Sequence, residues 1–151
     1  MANTYLKLYV HCIFHVKTTS VAVQKQDLNR LFAYIATTAR NIGADYVEVG
    51  GMRDHIHILT VLPKTISISE FVKTLKAESS RWIKTLAPMY MDFSWQSGYG
   101  AFSVSPSLKD KTVSYIKNQE KHHTKRTFQE EYKLFLQEYE IEYEERYAFC
   151  D

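Results

Sequence analysis

The stretch that most constrains this chain is Asp54-His55-Ile56-His57-Ile58-Leu59-Thr60-Val61-Leu62. Polar and apolar residues alternate along its first half, the period of a strand with one buried face. At that period His55 and His57 project from one side, and Ile56 and Ile58 from the other. Any fold the chain adopts must bury a branched apolar row on one face of a sheet while presenting two imidazoles on the opposite face. Two imidazoles on a rigid strand are well placed to hold one metal ion, although the same spacing is also common on plain polar surface.

The flanking segments read as the rest of such a sheet and its helices. Tyr5–Val16 alternates as a long first strand, with Leu6, Leu8, Val10, Cys12 and Phe14 on one side. Tyr5, Lys7, Tyr9, His11, Ile13 and His15 share the other side, a face rich enough in Tyr and His to flank a site. Asp27 is placed to cap a helix through about Ile42, with Leu28, Leu31, Phe32, Ile35, Ala39 and Ile42 at helical spacing and Gly43 as the stop. Tyr46–Met52 is a second short strand. Ser67-Ile68-Ser69-Glu70 has capping-box spacing and opens a helix that buries Ile68, Phe71, Leu75, Trp82 and Leu86. The opposite face of that helix carries Lys73, Lys76, Ser80 and Lys84, and Pro88 ends it. Gly98–Ser105 passes from a loop into a strand. Ser107-Leu108-Lys109-Asp110 and Thr127-Phe128-Gln129-Glu130 are two further cap signatures. The first opens a helix carrying Val113, Tyr115, Ile116 and Gln119; the second opens one to about Tyr139.

The resulting order is strand, helix, strand, strand, helix, strand, then extra helices. It predicts an α+β chain, a ferredoxin-like or RRM-like sandwich with an antiparallel sheet, helices on one face and additional C-terminal helices. The first and third strands then lie at the centre of the sheet, and His55 and His57 fall on its open face. One domain over residues 1–151 is expected, with a core of about 5–105, a tyrosine-bearing helix of about 107–123, and a C-terminal helix with an acidic tail over about 127–151.

Composition narrows the partners. Hydrophobic content is 45% and charged content 24%, which is globular rather than disordered. The net charge of +2 conceals an asymmetry: residues 127–151 hold eight acidic and two basic residues, so residues 1–126 carry a net +8. A basic body suits a polyanion. The two cysteines, Cys12 and Cys150, form neither a disulfide framework nor a zinc pattern. No signal segment or membrane-length apolar run is visible, and a cytoplasmic location is the expectation.

Among residues that could carry chemistry, Gln119 lies four positions after Tyr115, so one helix face can deliver a phenol and an amide oxygen to the same place. Taken singly, each is equally at home in a solvated stripe, and most helical tyrosines are packing residues. Lys121, His122, His123, Lys125 and Arg126 follow, a basic helix end that the helix dipole favours in any case.

Read together, these pieces carry a family resemblance. The segments are Gly50-Gly51-Met52-Arg53-Asp54-His55-Ile56-His57, Phe71-Val72-Lys73 with Ser79-Ser80-Arg81-Trp82-Ile83, Trp95 to Ser105, Tyr115-Ile116-Lys117-Asn118-Gln119 with His122-His123, Phe128, Glu131, and Ile141-Glu142-Tyr143. In order and spacing the chain resembles the small single-strand DNA transposases of insertion sequences, of the HUH group (His, bulky apolar residue, His) with one tyrosine. One segment departs from the pattern: Lys17-Thr18-Thr19-Ser20-Val21 stands where an Arg-bearing segment is usual.

The resemblance implies a metal-dependent enzyme that cuts and rejoins single-stranded DNA at hairpin-marked transposon ends. Tyr115 would be the nucleophile, forming a 5′-phosphotyrosine, and His55, His57 and Gln119 would hold Mg²⁺ or Mn²⁺. Asp54 could orient the first histidine. Arg53, Lys73, Lys76, Arg81, Lys84, Lys117, Lys121, Lys125 and Arg126 are the candidate DNA contacts. The resemblance also implies a homodimer, in some members with the tyrosine helix of one subunit completing the site of the other. Two alternatives stand beside the enzyme. One is an inactive or domesticated hairpin-binding protein of the same fold. The other is an RRM-like RNA binder, disfavoured because the third strand offers histidines where that module stacks aromatics.

Overall fold

The structure is a computed structural model and describes residues 3–123 and 125–149, without the side chain of His122; the expectations attached to that side chain and to Cys150 fall outside it. The chain runs β1 (Tyr9–His15), α1 (Leu28–Asn41), β2 (Val47–Met52), β3 (His55–Val61), α2 (Ile68–Ile83), β4 (Gly100–Val104), α3 (Lys109–Lys117), α4 (Gln119–His122), α5 (Phe128–Glu138) and α6 (Glu145–Phe149). The four strands form one antiparallel sheet in the order β2-β3-β1-β4, so the first and third strands are central as expected.

One face of the sheet is the main core. Val10, Cys12 and Phe14 of β1 and Ile56 and Ile58 of β3 pack against Leu31, Ile35 and Ala39 of α1 and Phe71, Val72, Leu75 and Ile83 of α2. Tyr90, Phe93 and Trp95 close its end. Ser67 caps α2 through its hydroxyl, which accepts from the Glu70 amide at 3.2 Å. Thr127 caps α5 in the same way, accepting from Glu130. The other two caps fail. Asp27 makes no cap bond and instead accepts the Tyr90 hydroxyl at 2.6 Å. Ser107 lies in a short 3-10 turn before α3, its hydroxyl 3.0 Å from that of Ser105.

Two further expectations are corrected. The first strand begins at Tyr9 rather than Tyr5: Tyr9 pairs with Val61, the last residue of β3, so residues before it lack a partner strand. Leu6 and Leu8 are accordingly exposed.

The second correction concerns the other face, which is not open. His11, Ile13 and His15 stand opposite Leu59, His57 and His55 in the β1–β3 register and share a side with them. All six are buried. The helices after β4 cover them: Ile13 and Phe102 form a second, smaller core with Tyr132, Leu136 and Phe149. Two glycines let these helices approach. A Cβ on Gly50 would lie 2.5 Å from the Ile116 carbonyl of α3, and one on Gly100 would lie 2.6 Å from the Tyr132 hydroxyl of α5.

Candidate active site and metal centre

The buried polar face brings together residues from β1, β3, α3, α4 and α5. Tyr115 sits near the end of α3, with its ring centroid 5.6 Å from that of His57. The expected single helix over 107–123 is interrupted at Asn118, and α4 starts at Gln119. Gln119 Nε2 donates to the Tyr115 carbonyl at 3.1 Å. That bond fixes the amide and turns its oxygen inward, 3.0 Å from His55 Nε2 and 3.0 Å from His123 Nε2.

His55 is held from behind. Its Nδ1 lies 2.8 Å from Asp54 Oδ1, and a carboxylate can only accept, so Nδ1 carries the proton. This hydrogen bond holds the Asp54 carboxyl below its ordinary range, against the upward push of burial. In the neutral ring, Nε2 then points a lone pair at the Gln119 oxygen, which also offers only lone pairs.

The same conflict recurs beside it. His57 Nε2 is 2.8 Å from Glu131 Oε1, yet both atoms are buried and neither makes a hydrogen bond of acceptable geometry. Burial drives the His57 ring down to about 4, against the upward pull of Glu131, so the imidazole is neutral near pH 7. Burial raises Glu131, but the neighbouring His57 ring, the Tyr115 hydroxyl and His55 outweigh it, and its carboxyl stays below the usual range. The second Glu131 oxygen is 3.1 Å from His123 Nε2.

Nitrogen and oxygen acceptors facing one another in a buried pocket are what a shared cation satisfies. Ligand atoms of His55, His57 and Glu131 all lie within 4.8 Å of one another, and the Gln119 oxygen joins them at His55. Two imidazoles, an amide oxygen and a carboxylate suit Mn²⁺ or Mg²⁺ better than a soft metal. The residues present therefore fit a divalent ion.

The phenol is strongly protonated in this arrangement. Burial, then the charge and hydrogen bond of Glu131, push the Tyr115 hydroxyl far above its ordinary value. Tyr115, Lys125, Arg126 and Glu131 line a cavity of about 320 Å³, which joins the phenol to two cations. A cavity of about 540 Å³ lies elsewhere, beside His15, Lys17, Asp54 and Phe128.

The candidate DNA contacts divide into two groups. Lys117, Lys121, Lys125 and Arg126 are exposed on the segment that follows Tyr115, and Lys125 and Arg126 share its cavity. Lys73, Lys76, Arg81 and Lys84 belong to α2, on the far side of the sheet. Several are already engaged: Lys76 donates to the Gln96 and Gly98 carbonyls, Arg81 pairs with Glu78, and Lys84 reaches Ser80. Arg53 donates to the Val23 carbonyl at 2.9 Å.

Sequence reasoning assigned no chemistry to Glu131 or His11, and treated His123 as part of a basic helix end. For Glu131 the available signal was the Thr127 cap, which places it in the first turn of a helix. For His11 it was the Tyr/His face of β1.

No helix among the described residues is long and apolar enough to cross a membrane. No curated protein sequence matches the chain. Among solved structures, a candidate transposase from Deinococcus radiodurans is 25% identical, with a TM-score of 0.60 over 79% of this chain and 96% of that one. A REP-associated tyrosine transposase bound to a REP hairpin shares the fold at 14% identity, with a TM-score of 0.57 over 82% of this chain and 73% of its own. The profile of the family described as IS200-like transposases matches residues 4–119. That span holds the whole sheet, both histidines, Tyr115 and Gln119, and the chain belongs to the IS200-like transposase family.

Proposed function

We propose that this protein is a metal-dependent transposase that cuts and rejoins single-stranded DNA at hairpin-marked ends, using Tyr115 to form a 5′-phosphotyrosine. The observation that carries this reading is the convergence within one chain of Tyr115, His55, His57, Gln119 and Glu131 on a single buried pocket with a cationic rim.

A scissile phosphate entering beside Lys125 and Arg126 meets the Tyr115 hydroxyl. The phenolic oxygen forms a bond to phosphorus and the bond from phosphorus to the 3′ oxygen breaks. The phenol loses its proton and the departing 3′ oxygen leaves as a hydroxyl. The phosphodiester energy is kept in the tyrosyl ester, so a second 3′ hydroxyl can reverse the reaction on another strand without ATP. When bound, a divalent cation neutralises phosphoryl charge and orients the phosphate. His55, His57, Gln119 and Glu131 are its proposed ligands, and Asp54 orients His55.

Arg53, Lys73, Lys76, Arg81, Lys84, Lys117, Lys121, Lys125 and Arg126 remain the proposed backbone contacts. Those around Tyr115 serve the strand being cut, and those on α2 serve the hairpin. The hairpin bound by the structural neighbour supports this substrate class. Action as a homodimer in the cytoplasm belongs to the same proposal; within one chain Tyr115 already stands beside its own His57.

The test is a labelled hairpin oligonucleotide incubated with Mn²⁺ and resolved under denaturing conditions. Wild-type protein gives a covalent adduct and Tyr115→Phe gives none. Salt-sensitive hairpin binding without any wild-type adduct replaces this reading with the inactive hairpin binder.

A further inference from the structure

The β1 histidine facing the site has no part in the reaction as described. His11 is buried, and its Nε2 lies 2.8 Å from His57 Nδ1. Its ring is walled by Phe135, Tyr115 and Phe102, with centroids at 5.1, 6.4 and 6.5 Å. The strand register explains the pairing: Ile13 stands opposite His57, and His11 is one step further along the same face.

Two imidazole nitrogens at this distance share one proton, and its position decides what His57 can do. If His11 donates, His57 accepts at Nδ1 and must carry its own proton on Nε2, where it cannot ligate. If His57 donates from Nδ1, its Nε2 is free to offer a lone pair to a cation. The second arrangement is the one a metal centre requires: His57 Nε2 and Glu131 Oε1 are buried 2.8 Å apart without a hydrogen-bond partner, and ligand atoms of His55, His57 and Glu131 lie within 4.8 Å of one another.

We infer that His11 is a positioning residue: it accepts the His57 Nδ1 proton and thereby locks His57 in the tautomer whose Nε2 faces the metal pocket. It does for His57 what Asp54 does for His55, with a neutral acceptor in a fully buried place where a carboxylate would add a further charge. This inference rests on the metal-centre part of the proposed function.

The test uses the full chain and Mn²⁺ alone. His11→Phe keeps an aromatic ring of similar size and removes the acceptor; His11→Gln restores an oxygen acceptor. Loss of a hydrogen-bond partner behind a ligand typically weakens metal binding about 10–100-fold. The expected result is a loss of that size in Mn²⁺ affinity for His11→Phe, substantial recovery in His11→Gln, and unchanged hairpin affinity in both. Nitrogen-15 NMR of the metal-free wild type should show His57 protonated at Nδ1. His57 protonated at Nε2, or His11→Phe binding Mn²⁺ as tightly as wild type, overturns the inference. If His11→Phe does not fold, the wild-type tautomer and His11→Gln still decide it. A wild type that binds no Mn²⁺ also overturns it, whereas the transposase reading falls only if the Tyr115 adduct is missing.

Discussion

The two faces of the sheet are made by the same strands and covered by helices, yet they are held together differently. On the α1/α2 face, Phe14, Ile56, Ile58, Phe71 and Leu75 fill a continuous apolar core whose stability comes from area removed from water. On the other face a small apolar cluster around Ile13, Phe102 and Leu136 borders a set of histidines, an amide and a carboxylate. There the groups are matched in position but not all in hydrogen bonding: His57 Nε2 and Glu131 Oε1 lie 2.8 Å apart without a partner. The first face stores stability, and the second holds these unpartnered buried atoms in a group that could hold a cation.

That contrast can be broken most sharply at Tyr115. Tyr115→Phe should abolish adduct formation while leaving the melting transition nearly unchanged; a large loss of stability would show that the phenol is a structural group. His57→Ala comes next, with cleavage lost and hairpin binding retained, read by a gel-shift assay beside the cleavage assay. Equal loss of both in a folded variant would mean the histidine belongs to the DNA surface.

On the apolar face, Leu75→Ala should cost about 3–5 kcal/mol by urea denaturation, whereas Leu136→Ala in the smaller cluster should cost about 2 kcal/mol. Equal values would erase the proposed difference between the faces. Gly50→Ala should drive α3 from β2, because the new Cβ meets backbone at the Ile116 carbonyl; Gly100→Ala meets the Tyr132 and Phe102 side chains rather than backbone and should be milder. Relative cleavage rates of the two variants test this.

The last expected effect is on pH dependence. His57 is held at about 4 in the folded chain against an ordinary 6.5, so the unfolded chain binds a proton that the folded chain resists. Its contribution leaves stability undiminished above about pH 6.5 and lowers it progressively as pH falls towards 4. His57→Gln should flatten that part of a stability–pH curve.

The legible parts of the molecule were those with local causes. Period-two alternation in β1 and β3 and the helical spacing in 28–42 and 67–86 identified the elements and their apolar sides, because those sides face a partner of the same chemistry. The Ser67 and Thr127 caps were readable for the same reason: the bond closes within one turn. The Asp27 cap was not, since a tyrosine 63 residues away took the carboxylate.

The polar face was misread as open because alternation reports a difference between two sides, not which side meets water. His55 and His57 read as the exposed half of an amphipathic strand, and only the return of α3 and α5 over the sheet buries them.

The sequence by itself determined the element order, the apolar core residues and, through its family pattern, the histidine pair with Tyr115 and Gln119. Tertiary structure decided that Glu131 and His11 join them, that Lys76 donates to two loop carbonyls, and that the site is enclosed. Those facts depend on contacts between residues far apart in the chain, and no local period or propensity encodes such a distance.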